Sequence, residues 1–209
     1  GGSVTSPEAY VCEAMTEVSM HETGHTLGLR HNFAGSASAP LEKMLDKAFV
    51  EEHGLTASVM DYVGPVVPSD REKQGYYYTP VVGGYDRFAI KYGYILASEE
   101  RERAARGEAP MEALAVVTDV RVATDPTLRF CTDDDDSRSA GTNPLCSVYD
   151  NSADPIEYFE DRVKLIARVK EDLWNRTSSG WSDFAEAGDF NTATHLFDSL
   201  MYRSSTSIA

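Results

Sequence analysis

The sequence contains no apolar run near the ~20 residues that a membrane-spanning helix requires, so no segment of it reads as transmembrane. Basic residues are scarce: 19 Lys and Arg stand against 34 Asp and Glu, for a formal charge of −15. A nucleic-acid partner demands a basic face against its phosphates, and this balance argues against one. Cysteine is scarce as well. Cys12, Cys131 and Cys146 form no Cys-x-x-Cys pair, which speaks against a cysteine-based zinc site. Cys131 and Cys146 bracket a polar loop and are a candidate disulfide; three buried free thiols are the other reading. Gly1-Gly2-Ser3 has neither the charged start nor the apolar stretch of a signal peptide, so a leader, where one exists, is expected upstream or already removed.

The 209 residues suffice for a domain with a core, and 42% hydrophobic with 25% charged residues is ordinary for a globular chain. No repeat and no domain-scale linker is visible, so residues 1–209 read as one domain portion. Ser6-Pro7-Glu8 carries helix-start signals: a capping hydroxyl, proline at the first position and an acid in the first turn. Val11, Met15 and Val18 follow at helical spacing, and the pattern runs to about Leu27. Gly28 is the expected stop, because glycine accepts the left-handed turn that ends helices. This helix and turn fill residues 7–31. Residues 32–84 read as a loop region with a short amphipathic helix over 41–53. Residues 85–209 read as mostly helical: a helix over 85–106, an extended segment over 113–131, a loop over 132–153 and a capped helix from Asp154-Pro155 onward. Ile156, Phe159, Val163, Ile166, Val169 and Leu173 mark its expected buried stripe. A weaker helical patch lies near 192–203. Asn175-Arg176-Thr177 is a glycosylation sequon, relevant only in a secreting eukaryote.

The chemistry concentrates in His21-Glu22-Thr23-Gly24-His25-Thr26-Leu27-Gly28-Leu29-Arg30-His31. His21 and His25 are one helical turn apart on one face, so both imidazoles can reach a single ion. Zinc accepts neutral imidazole, and a catalytic zinc site keeps a position open for water. Glu22, beside the first ligand, is the candidate general base for that water. His31 lies too far along to ligate from a continued helix. A sharp turn at Gly28 would bring it back, which gives the glycine a geometric reason. The full pattern HExxHxxGxxH fixes five positions and is far more specific than HExxH alone.

The motif resembles that of metzincin metalloproteases, and Ser58-Val59-Met60-Asp61-Tyr62 is similar to their Met-turn. That resemblance implies that Met60 lies under the metal site as a hydrophobic base. It also implies that Tyr62 ligates zinc or donates to the oxyanion, as the equivalent tyrosine does in astacin-like and serralysin-like members. Asp61 stands where astacins have His, and the 41–53 segment is inserted, so the chain departs from both groups. The string HETGHTLGLRHNFAGS, with SVMDY, YDRFAIKYGY, RFCTDDDDSRSAGTNPLC and DPIEYFEDRVKLI, most resembles the large bacterial-type zinc-dependent metalloproteases with a met-zincin domain. The resemblance spans most of residues 10–170. It implies a mainly α chain with irregular loops: the active-site helix and C-terminal subdomain of an α+β catalytic domain, with the N-terminal sheet largely outside this chain. It also implies a secreted or envelope-associated, extracellular peptidase acting on protein or peptide, inside a larger polypeptide. The apolar face of Val11, Met15 and Val18 is then expected to be covered by an upstream segment of the same precursor or by another chain. Asp133 to Asp136 raise the question of Ca2+, but their spacing does not fit an EF-hand, and a solvated acidic loop is the expectation. A zinc-holding structural module that no longer cleaves is the competing function, and such a module has no need of Glu22. A metal hydrolase acting on non-peptide substrates also fits the motif.

Overall fold

Helix α1 (Pro7–Thr26) begins at the proline expected to open it and carries Glu8 in its first turn. The computed structural model to which it belongs describes residues 7–94, 97–108, 125–136, 143 and 146–178. Only His21 and Gly24 of α1 are buried, while Val11, Met15 and Val18 are exposed. The helix is held instead by its acids. Glu13 accepts from the backbone N–H groups of Tyr77 and Tyr78, and Glu17 accepts from that of Thr79. These bonds lay the extended 77–79 segment along α1, where no ladder partner serves its amides.

The helix expected over 41–53 is two helices, α2 (Leu41–Met44) and α3 (Lys47–His53). Asp46 makes the break. Its side chain accepts from the N–H groups of Ala48 and Phe49, so it caps α3 and does not continue α2. Met44, Val50, Leu55 and Val66 form one core cluster with Ala39, against which Leu45, Phe49 and Tyr76 pack. Residues 54–83 are irregular apart from a 3-10 turn at Arg71–Lys73, as their Gly, Pro and Tyr content leads one to expect.

The helix expected over 85–106 is present as α4 (Gly84–Tyr94) and α5 (Ala97–Ala105), and residues 95 and 96 between them lie outside the described residues. Of the extended segment over 113–131, residues 113–124 lie outside the described residues. The remainder holds a 3-10 turn at Pro126–Leu128 and no strand. Asp125 accepts from the N–H of Thr127, a local cap that turns the chain where a strand would run straight. Among the described residues the architecture is helices joined by irregular chain, with no strand.

Helix α6 (Pro155–Ser178) starts at the expected cap, with Asp154 accepting from the N–H groups of Ile156 and Glu157. Its buried face is only in part the expected one, with Phe159, Ile166 and Val169 half-buried. Ile156 is 71% and Val163 47% exposed, whereas Tyr158, Arg162 and Leu165 are buried. Polar pins select this face. Asn151 donates to the Tyr158 hydroxyl, Asp161 accepts from Ser69 N–H and Oγ–H, and the Arg162 guanidinium lies over the Tyr158 ring. Leu173 lies within α6 but its side chain is not described, and the expected patch near 192–203 lies outside the described residues.

Candidate metal centre

Three segments build the centre: the end of α1, the turn after it, and the 58–62 segment beneath. Helix α1 closes with Gly28 N–H on His25 O and Leu29 N–H on Gly24 O. Gly28 has φ +88°, the left-handed conformation that the sequence assigned to it. Nothing would touch a Cβ there, so conformation and not space requires the glycine. The chain then doubles back and sets His31 beside the two helical histidines.

The ring centroids of His21 and His25 are 4.7 Å apart, those of His25 and His31 4.9 Å, and those of His21 and His31 5.4 Å. One ligand nitrogen from each lies within 4.8 Å of the other two. Every Nδ1 is already engaged. His21 donates to Val59 O at 2.7 Å, His25 to Leu29 O at 2.9 Å and His31 to Asp133 Oδ1 at 2.8 Å. With Nδ1 protonated, Nε2 of each ring keeps its lone pair for a metal. The Nε2 of His31 is buried and has no hydrogen-bond partner among the described residues, a cost that a bound cation would remove. Burial holds His21 below its ordinary pKa, and a neutral ring is the form that ligates. This donor set, three imidazoles each with Nδ1 engaged and Nε2 left for a metal, fits zinc.

A family model described as Met-zincin matches residues 3–204. The chain belongs to the Met-zincin family. No curated protein and no solved structure is significantly similar to it. Family and histidine group together make this Met-zincin chain a metalloprotease with a zinc-type site.

Around the histidines of this Met-zincin site, the structure brings together most of the residues singled out in the sequence. Met60 is fully buried below α1. A Cβ on Gly24 would come 2.3 Å from its sulfur, so the helix needs a glycine there to sit on the methionine. Tyr62 is partly exposed, with its ring 4.5 Å from that of His31 and stacked 5.4 Å from that of His21. Glu22 is exposed beside His21. Cys131 and Cys146 are joined in a disulfide with Cα atoms 5.9 Å apart, and Cys12 is exposed, so the reading of three buried thiols is wrong. His53 is exposed at the end of α3, beside Glu52.

The acidic run does not gather around a cation. Asp133 goes to His31, Asp134 to Arg30 and Asp135 to the N–H of Thr132, while Asp136 is buried. Calcium gains no support from this arrangement, and Asp133 is more than a solvated charge. Its bond to His31 holds its carboxyl below the ordinary value.

Three supporting residues escaped the sequence reading. Asp133 lies 102 positions from its histidine, so no local pattern could pair them. Gly24 is one of the variable positions of HExxH. Asp86 of α4 accepts from Ser58 Oγ, Val59 N–H and Gly83 N–H, which clamps the turn whose carbonyl holds His21. Its only sequence signal, an acid in a helix's first turn, is shared with many exposed caps. Asp61, the residue that departs from astacins, is buried and accepts from Ser36 N–H at 2.7 Å. Burial, with Asp150 nearby, raises its pKa well above the ordinary value.

Proposed function

We propose that this chain is a zinc-dependent endopeptidase in which His21, His25 and His31 hold the metal and Glu22 is the general base. The carrying observation is the set of three imidazoles with every Nδ1 engaged and ligand nitrogens within 4.8 Å of one another. Zinc, when bound, supplies a Lewis acid that polarises the scissile carbonyl and acidifies water. Glu22 follows the first ligand and is exposed to the open side of the site, where its carboxylate can take the proton of the attacking water and later pass it to the leaving amine. In this reading Tyr62, whose ring stacks on that of His21, donates its hydroxyl to the oxyanion as it forms. Met60, buried under Gly24, acts as the Met-turn floor of the centre.

The presence of Glu22 favours this reading over a silent zinc-holding module. Glu22→Gln should retain zinc and lose about 10²–10⁴-fold in peptide hydrolysis, with Tyr62→Phe losing less. Turnover on a peptide library, with zinc content measured on the same samples, decides it. Comparable turnover in Glu22→Gln and the parent removes Glu22 from the mechanism. A parent that hydrolyses simple esters and amides but no peptide makes it a different metal hydrolase.

The disulfide supports an extracellular or envelope address, because such bridges persist in oxidising compartments. The exposed Val11, Met15 and Val18, with Met15 also lining an apolar hollow of about 760 Å³ beside Leu29 and Ile90, support a further segment or chain completing the cleft.

A further inference from the structure

His31 is the ligand that α1 itself cannot hold. His21 and His25 bond backbone carbonyls of the turns packed beside them, Val59 and Leu29. The Nδ1 of His31 instead meets a side chain from the far half of the sequence, Asp133 Oδ1 at 2.8 Å. The loop bearing that carboxylate is fastened to the two residues that follow His31. Phe33 N–H donates to Cys131 O at 2.9 Å, Cys131 N–H donates to Asn32 Oδ1 at 3.2 Å, and Asn32 Nδ2 donates to Arg129 O at 3.0 Å. Cys131, two residues before Asp133, is buried with Phe33, Ala34, Cys146 and Val148 and bonded to Cys146. The backbone within two residues of Asp133 is therefore set by the same core that sets the backbone within two residues of His31.

We propose that Asp133 is a positioning residue of the metal centre, a carboxylate that orients His31 and so sets how tightly the three histidines retain a divalent cation. The inference rests on the zinc reading above. A carboxylate on Nδ1 does two things for the other ring nitrogen. It locks the tautomer that leaves Nε2 with a lone pair, and its charge makes that lone pair a stronger donor. Here it also helps to fix the ring plane, together with the Phe33 and Tyr62 rings that pack against His31. Arg30 reaches Asp133 and Asp134, but these pairs are exposed and contribute little. The acidic run thus has one member with a chemical task at the metal and neighbours without it.

The test is metal affinity, measured on the whole chain by competition with a chromophoric chelator after metal removal. Asp133→Ala should weaken zinc binding about 10–100-fold. Asp133→Asn, which keeps an acceptor but loses the charge, should fall between that variant and the parent. Asp134→Ala removes a neighbouring charge and an Arg30 partner without touching His31, and should stay within about twofold of the parent. With cobalt(II) in place of zinc, the visible absorption of Asp133→Ala should shift, and that of Asp134→Ala should match the parent. Zinc affinity of both Asp133 variants within about twofold of the parent overturns the inference. So does an equal loss in Asp134→Ala, which would trace the effect to the loop and not to the carboxylate–imidazole bond. A parent that binds no zinc overturns the zinc reading itself, and is told apart because no variant is needed to see it.

Discussion

A Cβ built on Gly24 stands 2.3 Å from the sulfur of Met60, and Met60 has no exposed surface through which to retreat. Helix α1 and the methionine are thus fitted to each other at one atom, between His21 and His25. Overpacking a filled interior costs about 1–3 kcal/mol. Gly24→Ala should therefore lower the thermal midpoint and weaken zinc binding together, although alanine is the better helix former. Zinc titration and thermal melts of this variant check the fit. Unchanged stability and affinity would mean that Met60 does not sit against the helix. The same residue shows where sequence reading stops. The grouping of the three histidines and the turn at Gly28 were legible because spacing within one helix and one turn dictates them. Gly24 and Asp133 were not, because what makes each necessary is a partner far along the chain, Met60 in one case and His31 in the other.

At the scale of elements, helix α1 matters most where it ends. Gly28 with φ +88° lets the chain turn back, and His31 reaches the ligand group only because of that reversal. Forcing a residue with a Cβ into the left-handed region costs roughly 1–2 kcal/mol, and asparagine tolerates that region better than alanine does. Nothing lies within 4 Å of the missing Cβ, so the penalty is purely conformational. Gly28→Ala should thus lose more zinc affinity than Gly28→Asn, measured by chelator competition at fixed pH. Equal losses, or none, would show that the reversal does not depend on that conformation. Helix existence was readable along most of the chain from caps and spacing, as at Pro7 and Asp154. Two features of the elements were not. Asp46 splits the helix expected over 41–53 by capping its second half. The buried face of α6 is chosen by Tyr158, Arg162 and Asp161 through bonds to other segments, and a count of apolar positions has no access to those bonds.

Across the whole molecule, an acidic chain has buried Asp61 and Asp86 and half-buried Glu17 and Asp150. Burial pushes Glu17 up to about 7 and Asp150 up to about 6, and it raises Asp86 and Asp61 as well. The sign of the consequence is fixed by linkage. A buried acid with a raised pKa holds its proton in the folded state after the unfolded chain has released it. Stability then falls as pH rises from the unfolded value through the folded one. For Glu17 that window runs from its ordinary 4.5 to about 7. Its partner is the N–H of Thr79, which a glutamine oxygen can also serve, so Glu17→Gln keeps the contact and removes the titration. Melts of the metal-free chain avoid the separate loss of zinc as the histidines protonate. Below pH 4 the variant and the parent should melt together, because Glu17 is then neutral in the folded and the unfolded parent alike. At pH 8 the variant should be more stable by about 1–3 kcal/mol, the order expected for a shift of this size with incomplete burial. A pH-independent difference between the two, or a variant less stable at pH 8, would show that Glu17 ionises in the folded chain without penalty and that the 77–79 segment is held to α1 by an ordinary carboxylate.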